Sequence, residues 1–292
     1  MNITDSLKEL YVAFGGNIDD IVTLSNITDV SNAIAVLLGG EGNATSISEA
    51  IQNIIPIMPN PKDKTMLVEL IDRSITTAEF PEVTSIGANA FNSCTNLTTV
   101  NLPEVTSIGV NTFNSCTNLT TVNLPKATSI PNGLFSNLTN LTTVNLPEVT
   151  SIGVNTFNSC TNLTTVNLPK ATSIGESVFV DCTKLTTINL PKVTSLGNYC
   201  FLRCSSLTTV DLFSMTSIGN NLFSDCSSLT ALIIRTNAVT PITAFNTFNN
   251  TPIASGTGYI YVPDDLVDSY KAASGWSTYA TQIKAISELP TE

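Results

Sequence analysis

Histidine is absent from all 292 residues, and charge is scarce, with Asp, Glu, Lys and Arg making up 12% of the chain. Without imidazole, neither Ser-His-Asp nor Cys-His activation of a nucleophile can be assembled, and metal sites that need His ligands are excluded. Lys and Arg number 12 against 23 Asp and Glu, so the net charge is −11. Such a surface repels phosphate backbones, and no basic patch offsets it, so no nucleic-acid partner is expected. Long apolar runs are missing too. Stretches such as Ala33–Leu38 ("AIAVLL") are far too short to cross a bilayer, so no membrane insertion is expected. The opening "MNITDSLKELYVAFGG" has no basic, apolar and small-residue succession of the kind that marks a signal peptide, which argues against export by the usual route. Without an export signal, the "NLT" and "NIT" triplets read as by-products of a repeat rather than glycosylation sites.

What is present is repetition. Thr95–Ile130 returns letter for letter as Thr139–Ile174, displaced by 44 positions. Phenylalanine recurs every 22 residues at Phe91, Phe113, Phe135, Phe157, Phe179, Phe201, Phe223 and Phe245. Ile75, Leu97, Leu119, Leu141, Leu163, Leu185, Leu207 and Leu229 keep the same step. A fixed period of this length marks a solenoid, whose units bury their apolar sides only against neighbours.

Within a unit, "LTTVNL" alternates inward and outward and is rich in Thr and Val, which predicts a strand. The following proline (Pro103) removes a donor and ends pairing. "VTSIG" predicts a second short extended piece with Gly109 as the turn, and "NTFNSCTN" a helical turn that delivers Phe113 and Cys116 inward. The 22-letter unit "LPEVTSIGVNTFNSCTNLTTVN" resembles the BspA-type leucine-rich repeat, a family common on bacterial surfaces and in phage-encoded proteins. The resemblance covers about residues 75–250 and implies a right-handed leucine-rich-repeat solenoid of about eight 22-residue units: an α/β repeat, strand-rich. Departures from the pattern are local. Pro131 stands for the glycine and Leu138 for the cysteine in the third unit, Phe213 replaces a proline, and extra residues surround "RTNAVTPITAFNTF".

Four side-chain rows carry the functional reading. Six of the seven cysteines (Cys94, Cys116, Cys160, Cys182, Cys204 and Cys226) share one repeat position. A line of thiols at strand spacing cannot surround a tetrahedral metal, so they read as reduced core residues and no metal site or cofactor is expected. Cys200 stands apart as a candidate exposed thiol. Two outward rows should pave the concave sheet: Thr99, Thr121, Thr143, Thr165, Thr187 and Thr209, beside Asn101, Asn123, Asn145, Asn167, Asn189 and Asp211. These rows are either a hydrogen-bonding surface for glycan or protein, or a solubilising face. The fourth row, Glu82, Glu104, Lys126, Glu148, Lys170 and Lys192, predicts cross-strand pairs such as Glu104–Lys126. It lacks the environment that would raise a catalytic carboxyl, so no catalytic residue is nominated.

The ends differ from the array. Residues 1–55 contain three apolar helical stripes, among them Leu7, Leu10, Tyr11 and Phe14, and form a small helical N-terminal module suited to anchoring or oligomerisation. This segment resembles the helical lead-ins of phage head-fibre and tail-associated proteins. Residues 56–66 are a Pro-rich linker, residues 67–250 the solenoid with its N-terminal cap, and residues 251–292 a C-terminal strand-plus-helix cap. In that cap, Tyr259–Val262 is the last strand, Asp264 or Asp265 caps a helix to about Ala273, and Trp276 and Tyr279 cover the core. The resulting expectation is a non-catalytic binding or adhesion protein displayed on a virion. Its partners would be a host cell-surface protein or glycan, plus a virion structural protein or sister subunits through residues 1–55. The alternative is a BspA-like adhesin or interaction scaffold on the bacterial cell surface or secreted.

Overall fold

The computed structural model describes residues 75–81, 83–242 and 246–290. The N-terminal module, the linker, the cap residues 67–74, Glu82 and Phe245 lie outside the described residues. What is described is a parallel-strand solenoid of about nine turns at the 22-residue spacing. Each coil contributes a strand of three or four residues, such as Thr99–Asn101, and a two-residue strand, such as Ser107–Ile108. Equivalent strands pair in parallel at zero stagger, so Thr99, Val100 and Asn101 face Thr121, Val122 and Asn123. Because side chains alternate across a strand, this register puts every Val100-type residue inside and every Thr99- and Asn101-type residue outside.

The third side of the coil is a turn, not the predicted helical turn. Asn111 and Ser115 have φ of 55° and 60°, and the left-handed pair recurs at Asn155 and Ser159 and at Asn221 and Asp225. An α-helix needs φ near −63°, so two left-handed residues four apart preclude one. Backbone bonds run instead between coils: Phe91 N–H donates to Thr112 O (3.0 Å) and Ser93 N–H to Asn114 O (2.8 Å). Asn, Ser and Asp at these positions tolerate positive φ better than branched side chains.

The turns aim phenylalanine into the core. Phe91, Phe113, Phe135, Phe157, Phe179, Phe201 and Phe223 are fully buried, with neighbouring ring centres 5.2–6.1 Å apart and nearly parallel. The column is longer than the sequence period indicates. Phe80 extends it at one end, and Phe248 takes the ring position beyond Phe223 that the 22-residue step assigns to Phe245. The extra residues before Phe248 displace the phase by three. Trp276 then closes the column as expected: it is buried beside Phe248, its Nε1–H donates to Thr240 O (2.7 Å), and Tyr279 meets Phe248 edge-on.

The cap itself is a helical turn at Pro252–Ser255, the strand Tyr259–Val262, a 3-10 turn at Asp264–Leu266 running into the helix Val267–Ala272, and a further strand, Ile283–Ala285. Neither Asp264 nor Asp265 caps the helix; the Asp264 carboxylate accepts from Ser287 N–H (3.2 Å) instead.

Two substitutions interrupt the array. At the coil containing Pro131, the short strand Ser129–Ile130 pairs with Ser151–Ile152 but not with Ser107–Ile108. The long strand Thr121–Asn123 pairs with Thr99–Asn101 but not with Thr143–Asn145. In other coils a glycine N–H donates across the gap, as from Gly109 to Ile86 O and from Gly153 to Ile130 O (2.8 Å each). Pro131 has no N–H to give. Its ring also enters a space too small for a Cβ, since a Cβ built on Gly109, Gly153 or Gly197 would overlap the backbone of the previous coil. These glycines therefore serve close approach between coils, rather than acting as the turn that the sequence suggested for Gly109. Leu138, larger than the cysteine it replaces, precedes the strand Thr143–Asn145, which pairs with Thr165–Asn167 but not with Thr121–Asn123. Ile108 and Val122 beside this split are partly exposed, whereas Ile86 and Val100 are buried.

Candidate functional site

The face predicted from the sequence is a row of outward side chains that crosses the break between Thr121–Asn123 and Thr143–Asn145. Thr121, Thr143, Thr165 and Thr187, with Asn123, Asn145, Asn167 and Asn189, are exposed, and Thr99, Asn101, Thr209 and Asp211 are half-buried at its ends. The structure brings all twelve onto the outer side of the long strands. Asn side chains bond along the row, Asn123 Nδ2 donating to Asn101 Oδ1 (2.8 Å) and Asn167 Nδ2 to Asn145 Oδ1 (2.9 Å).

A neighbouring threonine row, missed in the sequence, does the structural bonding. Thr120, Thr164 and Thr208 each donate their hydroxyl to the backbone carbonyl of Thr98, Thr142 and Thr186 at 3.1–3.2 Å. The hydroxyls of Thr99, Thr121, Thr143, Thr165, Thr187 and Thr209, one position later, form no such bond among the described residues, so their capacity faces outward. The two rows are adjacent threonines of one "TT" pair and both reach the surface; the bonded one lies just before the strand and the other is the strand's first residue.

Ion pairs stud the edge. Lys126 meets Glu104 at 2.6 Å, as predicted, and Lys170 meets Glu148 at 2.6 Å. Both are exposed, which limits each to about 0–1 kcal/mol. The sequence period does not reveal the pair at the C-terminal end of the lane, because 24 residues separate its members. There Arg235 grips Asp211 through Nε (2.8 Å) and Nη2 (2.9 Å), and its guanidinium lies 5.3 Å from the ring centre of the exposed Phe213.

The thiol row is apolar core. All seven cysteines are unbridged and fully buried, including Cys200, which corrects the expectation of an exposed thiol: the residue points inward from its left-handed neighbour Tyr199. Cys116, Cys160, Cys182, Cys204 and Cys226 donate Sγ–H to a phenylalanine carbonyl at 3.0–3.2 Å. Burial pushes the thiols of Cys160 and Cys226 up to about 12, from an ordinary value of 9.0. Among the described residues no group of three or more His, Cys, Asp or Glu could hold a metal ion, and no helix is long and apolar enough to cross a membrane.

Comparison with curated proteins returns no significant match. Solved structures do resemble the chain. A leucine-rich cell surface protein of Faecalibacterium prausnitzii is 27% identical over 64% of this chain and 60% of its own, with a TM-score of 0.49. A leucine-rich repeat protein of Bacteroides ovatus is 23% identical over 64% and 63%, with a TM-score of 0.40. The T. pallidum leucine-rich repeat protein is 23% identical over 63% and 84%, with a TM-score of 0.44. The chain thus spans less than two thirds of the length of the first two. The family model of the BspA type leucine rich repeat region matches residues 71–172 and 150–262, in six copies. With most of the sequence matched, and its coils stacked in register as such repeats require, the chain belongs to the BspA-type leucine-rich-repeat family.

Proposed function

We propose that the protein is a non-catalytic binding module whose contact surface is the Thr/Asn lane, and that it works on a surface: a virion, reached through residues 1–55, or a bacterial cell. The observation that carries this reading is the outward row of threonine hydroxyls from Thr99 to Thr209, which have no hydrogen-bond partner among the described residues. Their bonding capacity is laid out at one strand spacing on a rigid column of stacked rings. Each site is weak alone, and repetition along the lane adds avidity when the partner also repeats. The three apolar stripes of residues 1–55 favour docking to a virion protein or sister subunits. The resemblance to repeats common on bacterial surfaces favours the cell surface.

The test is binding of the full chain to whole bacterial cells, to virion proteins and to a glycan panel. It is compared with a variant carrying Thr121→Lys, Thr165→Lys and Thr187→Lys, which fills the lane with long cations and leaves the core intact. The reading predicts that at least one target binds and that the triple variant loses it. Equal binding by both proteins removes the lane from the contact.

A further inference from the structure

The lane is uniform until its C-terminal end, where the repeat gives way to different chemistry. In the outward row of the sheet, Asn167 and Asn189 are followed by Asp211, Ile233 and Tyr261, each directly opposite the next. The parallel row runs from Thr209 through Ala231 to Tyr259. Here a cavity of about 590 Å³ opens, walled by Asp211, Arg235, Tyr259 and Tyr261, with Ile233 and Leu289 supplying apolar surface. That volume lies in the range that holds small ligands. The two tyrosine rings are tilted by 57° with centres 6.3 Å apart, and the Lys284 ammonium sits 3.7 Å from the Tyr259 ring centre, outside the cavity wall.

We propose that this cavity is a sugar-binding subsite for a neutral glycan, seated so that its chain continues along the amide lane. The inference rests on the lane being a contact surface and names the ligand class for it. Three features point to a neutral polyhydroxylated ring. The Asp211–Arg235 pair uses the Nε and Nη2 edge of the guanidinium and leaves Nη1 without a partner among the described residues, while Asp211 Oδ1, which accepts from Nε alone, retains further acceptor capacity. Donor and acceptor thus stand side by side, which suits adjacent hydroxyls that each both give and take a proton. The pair cancels its own charge, so a carboxylate or sulfate ligand would meet Asp211 as well as Arg235. The half-exposed Tyr259 ring, backed by the buried Tyr261, supplies the flat apolar surface on which the C–H face of a pyranose rests.

A peptide strand has no place to add here. Tyr259–Val262 is paired on both sides, to Ala231–Ile234 and to Ile283–Ala285, which leaves no open backbone edge at the cavity. Beyond Asp211 the Asn189 and Asn167 side chains follow at about 4.8 Å per strand, offering amide donors and acceptors to further units of the same polymer.

The test is calorimetric titration of the full chain with neutral chito-, manno- and cello-oligosaccharides, and with sialylated and sulfated glycans as anionic probes. Tyr259→Leu removes the ring while keeping an apolar side chain, and Arg235→Lys keeps the charge while losing the two-point grip. Near-UV circular dichroism confirms the fold of each, and Val110→Thr, at an exposed turn residue outside the lane, serves as the control. The expected result is binding of at least one neutral series, weakened about tenfold by either cavity variant and unchanged in the control. Neutral-glycan binding that survives both variants overturns the subsite and leaves the lane intact as a contact surface. Binding of only anionic glycans overturns the charge argument. Silence toward every glycan, with cells or proteins still bound through the lane, overturns the sugar assignment alone. Silence toward every target overturns both.

Discussion

Phe157 sits between Phe135 and Phe179, 5.4 Å from each ring centre, with no exposed surface. Phe157→Leu keeps the position apolar but removes the flat ring from both stacks. Truncation to Ala would cost about 3–5 kcal/mol; we expect the milder change to cost about 1–2 kcal/mol. Aromatic pairs add about 0.5–1.5 kcal/mol beyond the area they bury, so part of that loss belongs to each neighbour. A double-mutant cycle separates it. Phe157→Leu with Phe179→Leu should couple by about 0.5–1.5 kcal/mol. Phe157→Leu with Phe91→Leu, three coils away, should add to within about 0.3–0.5 kcal/mol. Urea unfolding followed by far-UV circular dichroism, fitted by a nearest-neighbour treatment, supplies the free energies. Coupling that ignores separation, or that is absent between adjacent rings, would refute a core organised as a one-dimensional column.

Pro131→Gly returns the missing donor to Ile108 O and removes the ring that parts the coils. Amide 128 should gain about tenfold protection in hydrogen exchange, an unchanged rate counting against Pro131 as the cause of the split, and overall stability should change by no more than about 1 kcal/mol. Alkali should destabilise the fold through its thiols. Burial raises Cys160 and Cys226 to about 12, so between pH 9 and 12 the unfolded chain releases protons that the folded chain keeps. Stability is then fully present below pH 9 and falls by about 1.4 kcal/mol per pH unit for each such thiol across that window. Urea midpoints measured from pH 8 to 11 should fall steeply, and less steeply in Cys160→Ala. Equal slopes for the two proteins would show that Cys160 does not carry the effect.

The period made most of the array legible, because a side chain repeated every 22 residues must repeat its surroundings. Phe113, Cys116 and Leu119 could be placed in the core, and Lys126 beside Glu104, before any coordinates. Trp276 was legible as a lid because a lone large aromatic after the last unit has an open column end to cover. The period misled where the physics lies between coils. Gly109 reads as a turn residue in isolation, but its value is the absence of a Cβ against Ala88. Cys200 is out of phase with the thiol row and so read as exposed, although a left-handed residue before it turns it inward. Arg235–Asp211 and the tyrosine cavity were not legible, because their members sit at 24-residue and cap spacings that no repeat template aligns. The outward direction of Thr121 and Asn123 was legible in the alternation; which threonine of each pair bonds to the backbone was not, because both reach the surface.

Thiol labelling tests most directly whether successive coils stack on a common buried seam. The folded chain is incubated with a small alkylating reagent at pH 7.5 and its intact mass is read over hours, with a urea-unfolded sample alongside. The stacked solenoid predicts seven adducts in urea and none in native buffer, Cys200 included. Rapid native modification of several cysteines in the Cys94–Cys226 row would contradict the stack itself.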